Sequence, residues 1–216
     1  MRLHRLSMLM TIAALALVPF AARAEDEPAA EGLAIGADAP MREIKMKNVS
    51  GAELSIAAAA GKKGTLVMFI CNHCPWVKAW QGRIAAVGNA AMKQGVGVIA
   101  INSNDPQQFP EDSFDRMKDR ARSVGYKFPY VMDATSEVGR AFGATHTPEI
   151  YLFDVNGKLV YHGAVDDNAH EENAVQHRWM KEAVDAVAAG KAVPVAETKA
   201  LGCSIKLRGK AGRSSS

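Results

Sequence analysis

Apolar positions along this 216-residue chain change their period repeatedly, and each change marks a predicted element. Met41 to Met46 alternate apolar and polar, Asn48-Val49-Ser50-Gly51 supplies a turn, and Ala52 to Ile56 completes a hairpin pattern. Gly64-Thr65-Leu66-Val67-Met68-Phe69-Ile70 is nearly continuous in apolar side chains, as a strand covered on both faces requires. Helical spacing runs from Pro75 to Met92 and strand character returns from Gly95 to Asn102, so these segments predict a parallel crossover. Asp112 then reads as the cap of a helix reaching Val124, Phe128 to Met132 as a short strand, and Ser136 to Phe142 as a helix. Ile150 to Phe153 and Leu159 to His162 flank Asp154-Val155-Asn156-Gly157-Lys158, an Asn-Gly turn that predicts a second hairpin. A last helix spans His177 to Ala189, with Met180, Val184 and Val187 on one face. The alternation predicts a single α/β domain without internal repeats.

The ends differ from this middle. Arg2 and Arg5, an apolar stretch from Met8 to Phe20 and then Ala22-Arg23-Ala24 follow the order of an export signal over residues 1–24. That stretch is shorter than the roughly 20 residues of a membrane span, and no later run reaches this length. Residues 25–34 are acidic and rich in Ala and Pro, the pattern of a flexible lead-in; the domain occupies 35–207, and 208–216 form a disordered basic tail. Removing 24 residues leaves 192, enough for one core. The signal holds three arginines and no acid, so the net charge of +3 falls to zero without it. That balance argues against nucleic acid, which calls for a surplus of Lys and Arg interleaved with aromatics. The expected address is the periplasm, with no stable membrane span after cleavage.

Composition matters most through its three cysteines. Cys71-Asn72-His73-Cys74 lies where the apolar strand ends and Pro75 opens a helix. A thiol there faces unpaired N–H groups and the positive end of the macrodipole, which favour its anion. A bond across two residues closes almost no loop, so this pair suits reversible chemistry better than stapling. Cys203 is left over and has three readings: a second resolving thiol, an intermolecular crosslink or a small buried hydrophobe. His73 either adds positive charge beside the Cys71 thiolate or faces solvent with little influence. Trp76 and Trp80 share a helix face and either frame the sulfur or pack in the core, and Asp166-Asp167 reads as a solvated turn.

A buried strand ending in the cysteine pair, a helix starting there, and a late Thr147-Pro148 followed by a hairpin and a final helix resemble the thioredoxin-like superfamily. Gly36 to Pro40 and the closing Gly202-Cys203-Ser204-Ile205-Lys206 resemble its exported redoxin branch, grouped with the alkyl hydroperoxide reductase and thiol-specific antioxidant proteins. The resemblance implies a three-layer sandwich, with a central mixed β-sheet flanked by helices. It also implies a thiol-disulfide oxidoreductase without a cofactor, whose partners are protein thiols or disulfides and a redox partner protein. Cys71 would be the exposed attacking thiol and Cys74 the more buried resolving one. Thr147-Pro148 would form a cis peptide whose Thr147 backbone is free to pair with an extended partner, with a trans turn as the alternative. Thioredoxin's buried carboxylate, six residues before the first cysteine, falls on Thr65, which leaves Glu149 and His146 as candidate proton carriers.

Two rivals involve other chemistry. The peroxidase pocket of redoxin-like enzymes places Thr three and Pro seven residues before the attacking cysteine. Counting back from Cys71 finds Met68 and Gly64, and from Cys74 finds Cys71 and Val67. A Cu(I) carrier would use two soft thiolates with His73 nearby. Haem attachment lacks a histidine after Cys74, where Pro75 stands, and zinc ligands at recognisable spacing are missing, so no metal is assigned.

Overall fold

The computed structural model describes residues 32–209. The export-signal segment, the lead-in up to residue 31 and the tail from residue 210 lie outside the described residues. Strands β1 (Met46–Asn48) and β2 (Glu53–Leu54) form the first predicted hairpin, with Met46 opposite Leu54. It is shorter than the alternation implied, because residues 40–43 form a turn in which Met41 takes a left-handed φ of 49°. Next come β3 (Gly64–Phe69), helix α1 (Pro75–Lys93) and β4 (Val96–Asn102), and β3 runs parallel to β4 as the crossover requires. Helix α2 (Phe114–Val124) leads to β5 (Tyr130–Met132), parallel to β4, and to the short helix α3 (Glu137–Ala141). Two-residue strand β6 (His146–Thr147) precedes the hairpin of β7 (Glu149–Asp154) and β8 (Leu159–Gly163), whose turn places Gly157 at φ 76°. Helix α4 (Trp179–Ala188) and strand β9 (Cys203–Ser204) are the last elements among the described residues.

Seven strands form a mixed sheet in the order β2-β1-β5-β4-β3-β7-β8, and β6 pairs with β9 apart from it. Alternation along β3 explains why its apolar run is continuous. Leu66 and Met68 enter one core with Val77, Trp80 and Ile84 of α1 and Met180 and Val184 of α4; Val67 and Phe69 enter a second with Val138 and Phe142 around α3. Each such side chain is worth about 1.5–3 kcal/mol when fully buried, so a polar alternation on β3 would forfeit one whole layer. The observed architecture is the expected three-layer α/β sandwich. No helix among the described residues is long and apolar enough to cross a membrane.

Register places the site. β3 and β7 are antiparallel with Phe69 opposite Glu149, so the residue before Glu149 lies beside the chain leaving β3 toward Cys71. Thr147-Pro148 thereby meets the cysteine loop at the C-terminal end of β3.

Candidate active site

Cys74 is the N-cap residue of α1 and Pro75 its first helical residue, and no side chain caps this end. Both sulfurs converge on Thr147. Cys71 Sγ lies 3.3 Å from the Thr147 hydroxyl, and Cys74 Sγ donates to the Thr147 carbonyl at 3.1 Å. The expectation of an exposed Cys71 is corrected: it is 1% accessible, against 0% for Cys74, because Thr147 and the loop carrying Asp112 flank it.

Asp112 organises the residues between the cysteines. Its Oδ1 accepts the backbone N–H of Asn72 at 2.6 Å and of His73 at 3.2 Å; its Oδ2 meets His73 Nδ1 at 2.5 Å and accepts Asn104 Nδ2 at 2.9 Å. Asn72 is further held by Tyr130, which donates to its Oδ1, by Arg120, which donates to its carbonyl, and by its own donation to the Glu111 carbonyl. The His73 ring stacks on Phe109 with centroids 4.2 Å apart. Two expectations change here. Asp112 does not cap α2, whose N-cap is Ser113; it points into the cysteine loop, fully buried. His73 is neither free in solvent nor a lone positive influence, since a carboxylate sits against it.

Thr147-Pro148 is cis, as expected. The backbone of Thr147, however, is not open to a partner: β6 pairs with β9, setting Thr147 opposite Cys203 and His146 opposite Ser204. Approach is close enough that a Cβ on Gly202 would sit 2.3 Å from the Thr147 carbonyl oxygen, so only glycine fits there. Cys203 thus reaches the site as a half-buried thiol packed against the core that holds the other two. Cys203 lies close enough to Cys74 for each to perturb the other's ionisation.

Hydrogen bonding among the sulfurs sets their ionisation. The bond from Cys71 lowers Cys74 to about 4, against the cost of burial and with help from Cys203. That same bond, burial and the nearby Asp112 carboxylate raise Cys71 far above the ordinary thiol value. Burial and Cys74 raise Cys203 to about 11.

Comparison with known proteins fixes the family, since the Redoxin family model matches residues 35–177. The chain belongs to the redoxin family. An uncharacterised conserved protein from Geobacillus kaustophilus shares 39% identity with this redoxin, covering 81% of this chain and 93% of that one, with a TM-score of 0.75. A thiol-disulfide oxidoreductase, ResA, from Geobacillus thermodenitrificans is 27% identical over 59% of this chain and 67% of its own length. The chain spans about two-thirds or less of the curated relatives it matches. The thioredoxin domain of a thiol-disulfide oxidoreductase from Bacteroides vulgatus, at 22% identity and TM-score 0.51 over 61% of this chain and 89% of that one, shares the fold, which is thioredoxin-like.

The remaining candidates occupy defined places in the redoxin. Glu149 is buried and accepts from the backbone N–H groups of Thr145 and His146 at 2.7 and 2.8 Å, from Tyr151 at 2.9 Å, and meets His162 Nε2 at 2.7 Å. Burial pushes its pKa up, but His162 and the two N–H groups outweigh this and hold it below the usual value. Glu149 shapes the turn before Pro148 and makes no hydrogen bond to a sulfur. His146 bonds to the Thr145 hydroxyl at 2.8 Å, and Thr65 is buried in β3 opposite Phe153. Trp80 is a core residue whose Nε1 donates to Asp166 at 2.6 Å, while Trp76 remains half-buried beside it. Asp166 corrects the solvated-turn expectation, being buried between Trp80 and Arg83.

Cys71, His73 and Asp112 are the one group of three potential ligands whose atoms lie within 4.8 Å of one another among the described residues. Asp112 already accepts four hydrogen bonds, and the group contains a single sulfur. It is a carboxylate arranged to receive N–H donors, and poorly matched to a soft ion such as Cu(I).

Proposed function

We propose that this redoxin is a periplasmic thiol-disulfide oxidoreductase that exchanges disulfides with protein thiols or disulfides through Cys71 and Cys74. The observation that carries this is the convergence of both sulfurs on Thr147, Cys71 on its hydroxyl and Cys74 on its carbonyl, with the two cysteines three residues apart at a helix N-terminus. The arginines and apolar stretch of residues 1–24 support export.

The exchange runs in two displacements. Cys71 loses its proton to solvent and, as the thiolate, attacks one sulfur of the partner's disulfide. A bond forms between Cys71 and the partner, and the partner's second sulfur leaves as a thiolate. That thiolate takes up a proton from solvent, and Cys74, losing its own, attacks Cys71 and expels the remaining partner sulfur, which takes up the second proton. The partner disulfide ends reduced and the Cys71–Cys74 bond ends oxidised, with all protons accounted for.

The test is reduction of a disulfide-bonded protein by the dithiol form, followed by free-thiol release, in wild type, Cys71→Ser and Cys74→Ser. Cys71→Ser is expected to abolish exchange and Cys74→Ser to trap a mixed disulfide at Cys71. Full activity in either variant would remove the mechanism. Peroxide consumption by the dithiol form as fast as protein exchange would favour the peroxidase reading instead, and stoichiometric copper blocking thiol labelling would favour the metal carrier.

A further inference from the structure

The structure assigns Cys203 as a third redox sulfur that exchanges with Cys74, carrying the disulfide between the buried Cys71–Cys74 pair and the surface. This rests on the dithiol reading above and adds, beside attack by Cys71 on a protein disulfide, a second route by which small external thiols and disulfides reach the pair.

Thr147 brings the three sulfurs together. Thr147 touches all three residues: its hydroxyl lies against Cys71, its carbonyl against Cys74, and its backbone pairs with Cys203. Cys74 neighbours Cys71 within the loop and Cys203 across Thr147, and both sulfurs perturb its ionisation. Cys74 is therefore within reach of both, and a Cys203 thiolate that attacks it displaces Cys71.

Exposure gives the exchange a direction. Cys71 and Cys74 are buried at 1% and 0%, whereas Cys203 is half-buried. The edge of Thr147, where an extended partner would pair, is already filled by residues 203–204. That strand is a fixed strap: Thr198 is bonded to His162 on one side of it, and on the other Ile205 bonds to Thr145 while Lys206 bonds to Asn104 and Asp105. Gly202 admits it to within contact of Thr147.

In the exchange, the Cys203 thiolate attacks Cys74 in the Cys71–Cys74 disulfide. The bond between 71 and 74 breaks, the bond between 74 and 203 forms, and Cys71 leaves as a thiolate that takes up the proton Cys203 released. Nothing is oxidised overall. An external thiol can then attack Cys203, forming a mixed disulfide and freeing Cys74, and a second external thiol completes the reduction.

Disulfide mapping by mass spectrometry after oxidation with glutathione disulfide tests this. Cys71→Ser, with Cys71→Ala in reserve should the serine variant fail to fold, is expected to form an intrachain bond between Cys74 and Cys203. Cys203→Ser is expected still to form the Cys71–Cys74 bond, at a rate lower by about tenfold or more. Only glutathione adducts in both Cys71 variants, alongside a normal Cys71–Cys74 bond in wild type, would overturn the relay and leave the pair intact. An unchanged rate in Cys203→Ser would also overturn it. Absence of a Cys71–Cys74 bond in wild type would defeat the dithiol reading, and the relay with it.

Discussion

Two walls enclose the cysteine site, and they are built from different materials. The wall around Asn72 and His73 is a buried network: a fully buried carboxylate, a buried tyrosine hydroxyl and an arginine satisfy the polar groups of the loop. The wall across Thr147 is a half-exposed strap joined by backbone pairing. A buried network cannot lose a member cheaply, because the groups left behind stay out of water, whereas a half-exposed strap can recruit water in place of a lost side chain. The first wall therefore sets geometry and charge, and the second gives access.

Substitutions should separate these roles, beginning with the chemistry both walls serve. Cys71→Ser is expected to remove the reduction of a protein disulfide while thermal unfolding changes little, read by thiol release and calorimetry side by side. Asp112→Ala should strike next hardest. It strands two backbone N–H groups and the partners at His73 and Asn104, at an expected cost of about 3 kcal/mol read from the urea midpoint. A loss no larger than that of an exposed residue would mean the network is not a wall.

Asp112→Asn sharpens the point by keeping shape and removing charge. Without a carboxylate near Cys71 the thiolate form is less disfavoured, so the potential of the pair should rise by about 30 mV, a tenfold change in the exchange equilibrium. A redox titration against glutathione reads this directly.

On the strap side, Glu149 links stability to pH. Its folded pKa lies below its unfolded value, so its contribution is present above that unfolded value and is lost as pH falls through the lowered one. The stability gap between wild type and Glu149→Gln should be wide at neutral pH and narrow in acid. A gap independent of pH would contradict the assignment. Smallest of all, Cys203→Ser should change stability by only about 0.5 kcal/mol, since serine nearly keeps the size and puts a hydroxyl that water can reach in place of a half-buried thiol.

The same two walls show what a linear sequence reveals. β3, α1 and β4 were legible because a continuous apolar run and a period of 3.6 are local signals, and Cys71 and Cys74 stood out through their spacing and Pro75. Asp112 was visible but misassigned: an acidic residue shortly before a helix looks the same whether it caps that helix or reaches Asn72, forty residues back. Its only distinguishing signal was Pro110 and the Ser113 that could cap in its stead. Strand β9 was invisible because two residues carry no periodicity, and its pairing with β6 depends on Gly202 fitting against Thr147, a contact no local pattern encodes. Glu149 was seen as a candidate, yet its role as anchor of the Thr145–Thr147 turn depends on His162 from the next strand.

The central claim is that Cys71 and Cys74 form one reversible dithiol couple. It is tested most directly by peptide-mapping mass spectrometry of the protein equilibrated across glutathione buffers of graded potential. The expected result is a single two-electron transition in which a Cys71–Cys74 disulfide appears and disappears reversibly. A chain in which these two sulfurs remain separate thiols or separate glutathione adducts at every potential would contradict it.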